Sequence, residues 1–111
     1  MSTDNEFIEH IANQARGAGQ VSYREMLGEY ALYLDGKVVA LVFDNQLFVK
    51  PTEAGRLLLG TPSLVPPYPG AKDHFLVDSE VDDNERLAEL LRATADALPP
   101  PKKTHRLKKR P

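Results

Sequence analysis

The sequence predicts an α+β fold in which N-terminal, middle and C-terminal helices pack on an antiparallel sheet of about four to five strands. Apolar residues recur at helical spacing near both ends of the chain, and the region between them is rich in β-branched, aromatic and leucine residues. The order of elements shows no regular βαβ alternation, which favours helices packed on one antiparallel sheet. We expect a two-layer domain over residues 1–98, followed by a proline-rich linker and disordered basic tail over residues 99–111.

The N-terminal helix is predicted over residues 4–17. Thr3 and Glu6 have the spacing of a capping box, and apolar residues then recur every three or four positions until two glycines follow. The same capping-box spacing occurs once more further along the chain. It predicts an additional helical turn over residues 23–27 that ends at Gly28.

Three strands in an antiparallel meander are predicted between Tyr30 and Lys50. The turn pairs Asp35-Gly36 and Asp44-Asn45 divide this region, and both pairs tolerate positive φ. The middle run, residues 38–43, is apolar at every position, so both of its faces should be covered. Helices would cover one face, and either a second subunit or a loop of the same chain would cover the other.

The second half of the chain is predicted to hold two helices and one more strand. A short helix runs to Leu59, and the prolines of residues 62–70 impose an extended, turning backbone. Residues 74–78 alternate enough to form a strand. Asp82 is then the predicted cap of a final helix, which carries an apolar stripe from Leu87 to Leu98 and ends at Pro99.

Composition excludes several kinds of chemistry. The chain of 111 residues has no cysteine, which removes disulfide scaffolds, zinc–thiolate sites and thiol nucleophiles and fits a reducing cytoplasm. No apolar run approaches the roughly 18 residues of a spanning helix, so we expect a cytoplasmic protein with no membrane contact.

No catalytic motif of a familiar kind is present in the sequence. The three histidines lie far apart, and the patterns of zinc proteases, α/β hydrolases and phosphate-binding loops are missing. We therefore expect no enzyme, no catalytic residues, no cofactor and no metal. One alternative from a different class stays open, a small-ligand or weak catalytic cleft near Tyr68 and His74.

The C-terminal tail carries a charge opposite to that of the body. Residues 1–101 contain eight basic and sixteen acidic side chains, whereas residues 102–111 contain six basic and no acidic ones. Cations of this kind bind nucleic-acid phosphates without reading sequence, because no aromatic side chain is present to stack on bases. The candidate nucleic-acid-binding residues are Lys102, Lys103, Arg106, Lys108, Lys109 and Arg110. The alternative is a solubilising tail that makes no specific contact.

The stretch Arg24-Glu25-Met26-Leu27-Gly28-Glu29-Tyr30-Ala31-Leu32-Tyr33 carries a family resemblance. It resembles the signature Arg-x-Met-Phe-Gly-Gly-Tyr-Gly-hydrophobic-Tyr of the TfoX/Sxy competence-regulator family, N-terminal domain. Glu29 and Ala31 stand where the signature has glycine. The order of the later elements is also similar, so the resemblance covers about residues 5–98.

The resemblance implies a bacterial α+β domain that is not an enzyme. In two-domain relatives, this domain is joined to a second, helical domain and helps to switch on DNA-uptake genes together with the cyclic-AMP receptor protein. The expected function is thus a regulatory or interaction module that acts through protein partners, with a homodimer as an additional expectation. The alternative is a small nucleic-acid-binding accessory protein that uses its basic tail.

Overall fold

Six strands form one antiparallel sheet, flanked by three α-helices, in the computed structural model, which describes residues 3–100. The helices are α1 (Asn5–Gln14), α2 (Glu53–Leu59) and α3 (Asn84–Ala97). The strands are β1 (Val21–Met26), β2 (Glu29–Leu34), β3 (Lys37–Phe43), β4 (Gln46–Val49), β5 (Ser63–Val65) and β6 (His74–Val77). Their order across the sheet is β1-β2-β3-β4-β6-β5, so the first four strands form a meander and β6 joins it to β5.

The predicted α+β class with three helices is confirmed, and the sheet has six strands instead of four to five. The helical turn predicted over residues 23–27 is wrong. These residues belong largely to β1, which pairs along its whole length with β2. A capping-box spacing that no apolar helical stripe follows is weak evidence for a helix. The hydrogen bonds between β1 and β2 stabilise the extended conformation more than this local preference stabilises a helical turn.

Three tight turns connect the meander, and each has positive φ at both central residues. Asp35-Gly36 and Asp44-Asn45 lie in turns as predicted, with φ of 52° and 84° in the first pair and 52° and 58° in the second. Leu27-Gly28 forms the third turn, with φ of 54° and 87°. Positive φ at both positions matches the twist of the flanking strands, which makes it the favoured geometry for two-residue hairpins.

The core lies between one face of the sheet and the helices. From α1, Ile8 and Ile11 are fully buried, and α3 contributes the leucine stripe that its spacing predicts. The sheet residues in this core alternate along each strand, as the two-residue period requires. They include Leu32, Leu34, Val42, Leu47, Val49, Phe75 and Val77. We call this side of the sheet the helix-covered face and the opposite side the outer face.

Two predicted helix caps differ in the structure. Asp4, not Thr3, is the residue before α1, and it makes no side-chain cap. Thr3 instead donates its hydroxyl hydrogen to Glu29. At the last helix, residues 79–82 form a separate 3-10 turn, and Asp83 caps α3 by accepting from the Arg86 N–H at 3.2 Å. In both cases the residue before the helix lies one position later than the spacing predicts.

The outer face is partly covered by the same chain. The ring of Tyr68 lies on that of Phe43, with centroids 5.1 Å apart. Phe48, which also points to the outer face, is almost completely buried. Of the two covers expected for β3, the loop of the same chain is therefore present on this face, and the second subunit stays a prediction.

Candidate functional site

A groove of about 590 Å³ opens on the outer face at the end of the sheet where the β1–β2 and β3–β4 turns lie. We call it the outer groove. Its lining is apolar except for two carboxylates, and its walls come from the β1–β2 hairpin, the end of β3 and the proline-rich loop. The lining residues are Met26, Leu27, Glu29, Leu41, Phe43, Asp44, Pro67, Tyr68 and Pro69.

Glu29 is a buried carboxylate in this apolar groove, with only 5% of its surface exposed. Its Oε1 accepts the Thr3 hydroxyl at 2.6 Å and the Asp44 backbone N–H at 3.1 Å. The Thr3 hydroxyl oxygen in turn accepts the Asn45 N–H at 3.2 Å. Burying a carboxylate is costly unless donors surround it, so this network is what allows Glu29 to lie here.

Among the residues that the structure describes, no donor reaches Oε2 of Glu29. One oxygen of the carboxylate therefore keeps its capacity to accept a hydrogen bond. A positively charged group is the partner that a partly desolvated carboxylate binds most strongly. Asp44, exposed at the groove rim, adds a second negative charge and no basic residue lines the groove.

Leu27 combines two unfavourable features at the rim of the groove. It has positive φ, which costs a residue with a branched side chain roughly 1–2 kcal/mol, and its side chain is fully exposed. Asparagine or glycine would suit this turn position better. Beside it, Met26 is 49% exposed. Clustered exposure of large apolar side chains around a concave surface is typical of an interaction site.

The opposite wall of the groove is stiff. Pro67 and Pro69 flank Tyr68 and restrict the backbone, and the Tyr68 ring is held on Phe43. Tyr68 nevertheless remains 45% exposed, so an aromatic face is available to a bound molecule. Such a preorganised aromatic wall loses little conformational entropy on binding.

The cleft predicted near Tyr68 and His74 is only partly reproduced. Tyr68 lines the outer groove, but His74 does not. His74 is buried in β6, and its Nδ1 lies 2.9 Å from the Lys72 carbonyl oxygen. The structure does not bring these two residues together in one pocket, and binding of a small ligand stays a prediction.

The six basic residues predicted to contact nucleic acid, from Lys102 to Arg110, lie outside the described residues. Within residues 3–100, no group of three or more acidic or histidine side chains is arranged to hold a metal ion. None of the helices in the same range is long and apolar enough to cross a membrane.

Sequence reasoning missed Glu29 and Leu27 as functional candidates. A signal was present for both, since Glu29 interrupts a stretch of apolar and aromatic residues and Leu27 precedes a turn glycine. It was not decisive, because Glu29 is buried by Thr3 and Asp44, which lie 26 and 15 positions away. Only the folded chain shows that a carboxylate and a leucine share one groove.

Comparison with known proteins agrees with the resemblance found in the β1–β2 hairpin. A family model described as the TfoX N-terminal domain matches residues 13–98. The chain is also 45% identical over 102 residues to an uncharacterized 12.7 kDa protein in the trpE 5′ region of Spirochaeta aurantia. That match covers 92% of this chain and 89% of the relative. The chain belongs to the TfoX N-terminal domain family.

Proposed function

We propose that this protein is a cytoplasmic, non-enzymatic regulatory module that binds a protein of the transcription machinery through the outer groove. Membership of the TfoX N-terminal domain family supports a regulatory or competence-related role. The observation that carries the proposal is the groove itself, with its exposed apolar rim and buried carboxylate.

The arrangement fits recognition better than bond chemistry. Two carboxylates, Glu29 and Asp44, line the groove, and no basic or histidine residue in the described part of the chain lines it with them. Oε1 of Glu29 already accepts hydrogen bonds from the Thr3 hydroxyl and the Asp44 N–H. A general base or nucleophile needs a second group that activates or orients it. An apolar surface with a few polar groups in fixed positions is instead suited to hold a partner side chain.

Binding assays with a matched pair of variants test the proposal. Proteins captured by the full chain from an extract of the source organism would be identified by mass spectrometry, and the transcription protein among them purified. Met26→Glu places a charge in the groove, and we expect it to weaken binding at least about tenfold, or 1.4 kcal/mol. Leu57→Glu introduces the same charge at an exposed leucine of α2, outside the groove, and should leave affinity unchanged.

Two results would contradict the proposal. One is that no transcription factor or polymerase subunit is captured by the wild-type chain. The other is that Met26→Glu and Leu57→Glu weaken the binding of the captured protein equally, which would place the interaction elsewhere. Circular dichroism of both variants ensures that the comparison is between folded proteins.

The second candidate function is nucleic-acid binding by the tail, supported by its six basic and no acidic residues. Six phosphate contacts would make log affinity fall with log salt at a slope of about −5. Deletion of residues 102–111 should then abolish a gel shift with duplex DNA at low salt. Unchanged binding after the deletion would refute this function.

A further inference from the structure

The place where the chain leaves the described domain bears on what occupies the outer groove. Lys37, at the start of β3, donates from Nζ to the carbonyl oxygens of Ala95 at 2.7 Å and Leu98 at 3.1 Å. This cation binds carbonyl oxygens at the end of α3, where the helix dipole is negative; the Ala95 oxygen also accepts the Leu98 N–H at 3.2 Å. The C-terminal end of α3 is therefore fixed beside the β2–β3 turn.

Pro99 and Pro100 continue from that point along the start of β3. They line a shallow depression together with Gly36, Val38 and Lys50. Val38 pairs with Tyr33, and both belong to the outer face, because they are out of phase with the core residues Leu32 and Leu34. The chain thus passes residue 100 next to the outer face, at the end of β3 opposite to the groove.

The following residues are long enough to reach the groove. From Val38 to Phe43 is five residues of strand, or about 17 Å at about 3.3 Å per residue. From Pro100 to Leu107 is seven residues, which span up to about 23 Å when extended. Leu107 can therefore lie over the apolar part of the groove with several ångströms to spare.

The residues of the tail match the groove in the order in which they would meet it. Leu107 is the one aliphatic side chain in residues 101–111 apart from proline, and Lys109 follows two positions later. In an extended segment, residues two apart share a face. A segment running in the direction of β3 meets Leu41 first, then Phe43 with Glu29 beside it at the start of β2, and last Asp44.

We propose that residues 101–109 of this same chain lie along the outer face, with Leu107 in the outer groove and the Lys109 ammonium beside the carboxylates of Glu29 and Asp44. The contact removes the Leu107 side chain and the apolar rim of the groove from water, and it brings a cation to Oε2 of Glu29. It also joins the tail, with its six positive charges, to a body that carries an excess of acidic residues.

The consequence is competition for one surface. A partner protein that uses the outer groove must displace the tail. The partner's apparent association constant is then its intrinsic value multiplied by the fraction of molecules in which the groove is free. Nucleic acid that binds the tail cations would release the groove. The tail contact is a property of the isolated chain and can be tested whether or not the partner of the proposed function exists.

Methyl resonances of methionine report on the contact in the full chain. Met26 lies in the groove, and Met1 is the other methionine of the chain. We expect Leu107→Ser to shift the Met26 methyl resonance, whereas Leu107→Ile, which keeps an aliphatic side chain, should leave it near its wild-type position. The wild-type resonance should also move toward the Leu107→Ser position as salt is added, because the ion pairs weaken.

A cross-link gives a second, independent measurement, since the chain has no native cysteine. Leu27 at the groove rim and Leu57 on α2 are both well exposed, so either can be replaced without disturbing the core. Leu57 lines a surface depression with Asp96 in the last turn of α3, near the start of the tail. A disulfide forms only when the two Cα atoms come within about 7 Å. Leu27→Cys combined with Leu107→Cys should therefore oxidise within one chain several times faster than Leu57→Cys combined with Leu107→Cys.

Three results would overturn the inference. The Met26 resonance could be the same in Leu107→Ser and wild type at low salt. The two cysteine pairs could oxidise at equal rates. The Met26 shift or the disulfide could depend on protein concentration, which would mean that the tail of a second copy, and not the chain's own tail, occupies the groove.

Discussion

The two faces of the sheet are closed in different ways. On the helix-covered face, α1 and α3 bury a continuous layer of aliphatic side chains, and the leucines of α3 are almost completely excluded from water. On the outer face, the proline-rich loop places Tyr68 on Phe43 and forms one wall of a groove in which Met26, Leu27 and Tyr68 remain exposed. Within residues 3–100, one face is therefore closed by a packed core, and the other keeps exposed apolar side chains.

The largest effect is expected from a truncation on the helix-covered face. Leu90→Ala should lower the free energy of unfolding by about 3 kcal/mol, because it leaves a cavity where a leucine of α3 is 1% exposed. Urea denaturation measures the change. Leu41→Ala, on the partly exposed outer face, is the matched control and should cost clearly less. Equal losses of unfolding free energy in the two variants would mean that the outer face contributes as much to stability as the helix-covered face.

Loss of the Thr3 hydroxyl should have the next largest effect. Thr3→Val removes the donor to the Glu29 carboxylate and the acceptor of the Asn45 N–H, and hydrogen bonds to buried charged groups contribute about 2 kcal/mol. Thr61→Val, the same change at an exposed threonine, should stay within about 0.5 kcal/mol. If thermal and urea unfolding show the same small change for both variants, the network around Glu29 does not stabilise the groove.

A smaller and pH-dependent effect is expected where α3 contacts the β2–β3 turn. Arg92 donates from Nη1 to Asp35 Oδ2 at 2.8 Å, and this hydrogen bond, followed by the one from the Gln20 N–H, lowers the pKa of Asp35 below its ordinary 3.8. The folded state therefore holds the proton less tightly than the unfolded state, so the stabilisation is present above pH 3.8 and is lost as the pH falls through the folded-state pKa.

Unfolding of Asp35→Asn over a pH series tests this linkage. The variant should be less stable than wild type at neutral pH, and the difference should shrink as the pH falls below 3.8. Glu53→Gln is a comparison within a single helix: Arg56 also lowers the pKa of Glu53, so any loss of stability in this variant should shrink with falling pH in the same sense. A difference for Asp35→Asn that does not change with pH would exclude the ion pair as its source.

The smallest effect on stability is expected at the exposed apolar rim of the groove. Met26→Ala should change the free energy of unfolding by no more than about 0.5 kcal/mol, because the side chain is half exposed and lies outside the core. The same variant should nevertheless weaken partner binding. A loss of stability comparable to that of Leu90→Ala would remove the distinction between the two faces.

Most of the helix-covered face could be predicted from the sequence. The stripe from Leu87 to Leu98 has helical spacing, and the turn pairs at residues 35–36 and 44–45 divide the meander correctly. These signals are local, since each depends on residues within a turn or two of one another. The hairpin at Leu27-Gly28 was missed because leucine is rare at a turn position with positive φ, and only pairing with β2 holds it there.

The outer groove could not be predicted, because it is made by residues that are distant in the sequence. Tyr68 lies on Phe43 from 25 positions away, and Thr3 reaches Glu29 across 26 positions. An apolar run at β3 indicates that both faces are covered, but it does not identify the covering segment. Which loop returns to the sheet depends on the path of the whole chain.

The sequence by itself determined the fold class, the central meander, the helix-covered core and the family signature, because periodicity and turn chemistry act over short distances and hydrophobic burial follows from them. Tertiary structure alone decided that β1 is a strand, that Glu29 is buried and that Leu27 remains exposed beside it. These outcomes depend on contacts between segments that are distant in the sequence. The free energy of such contacts cannot be estimated from a local sequence pattern.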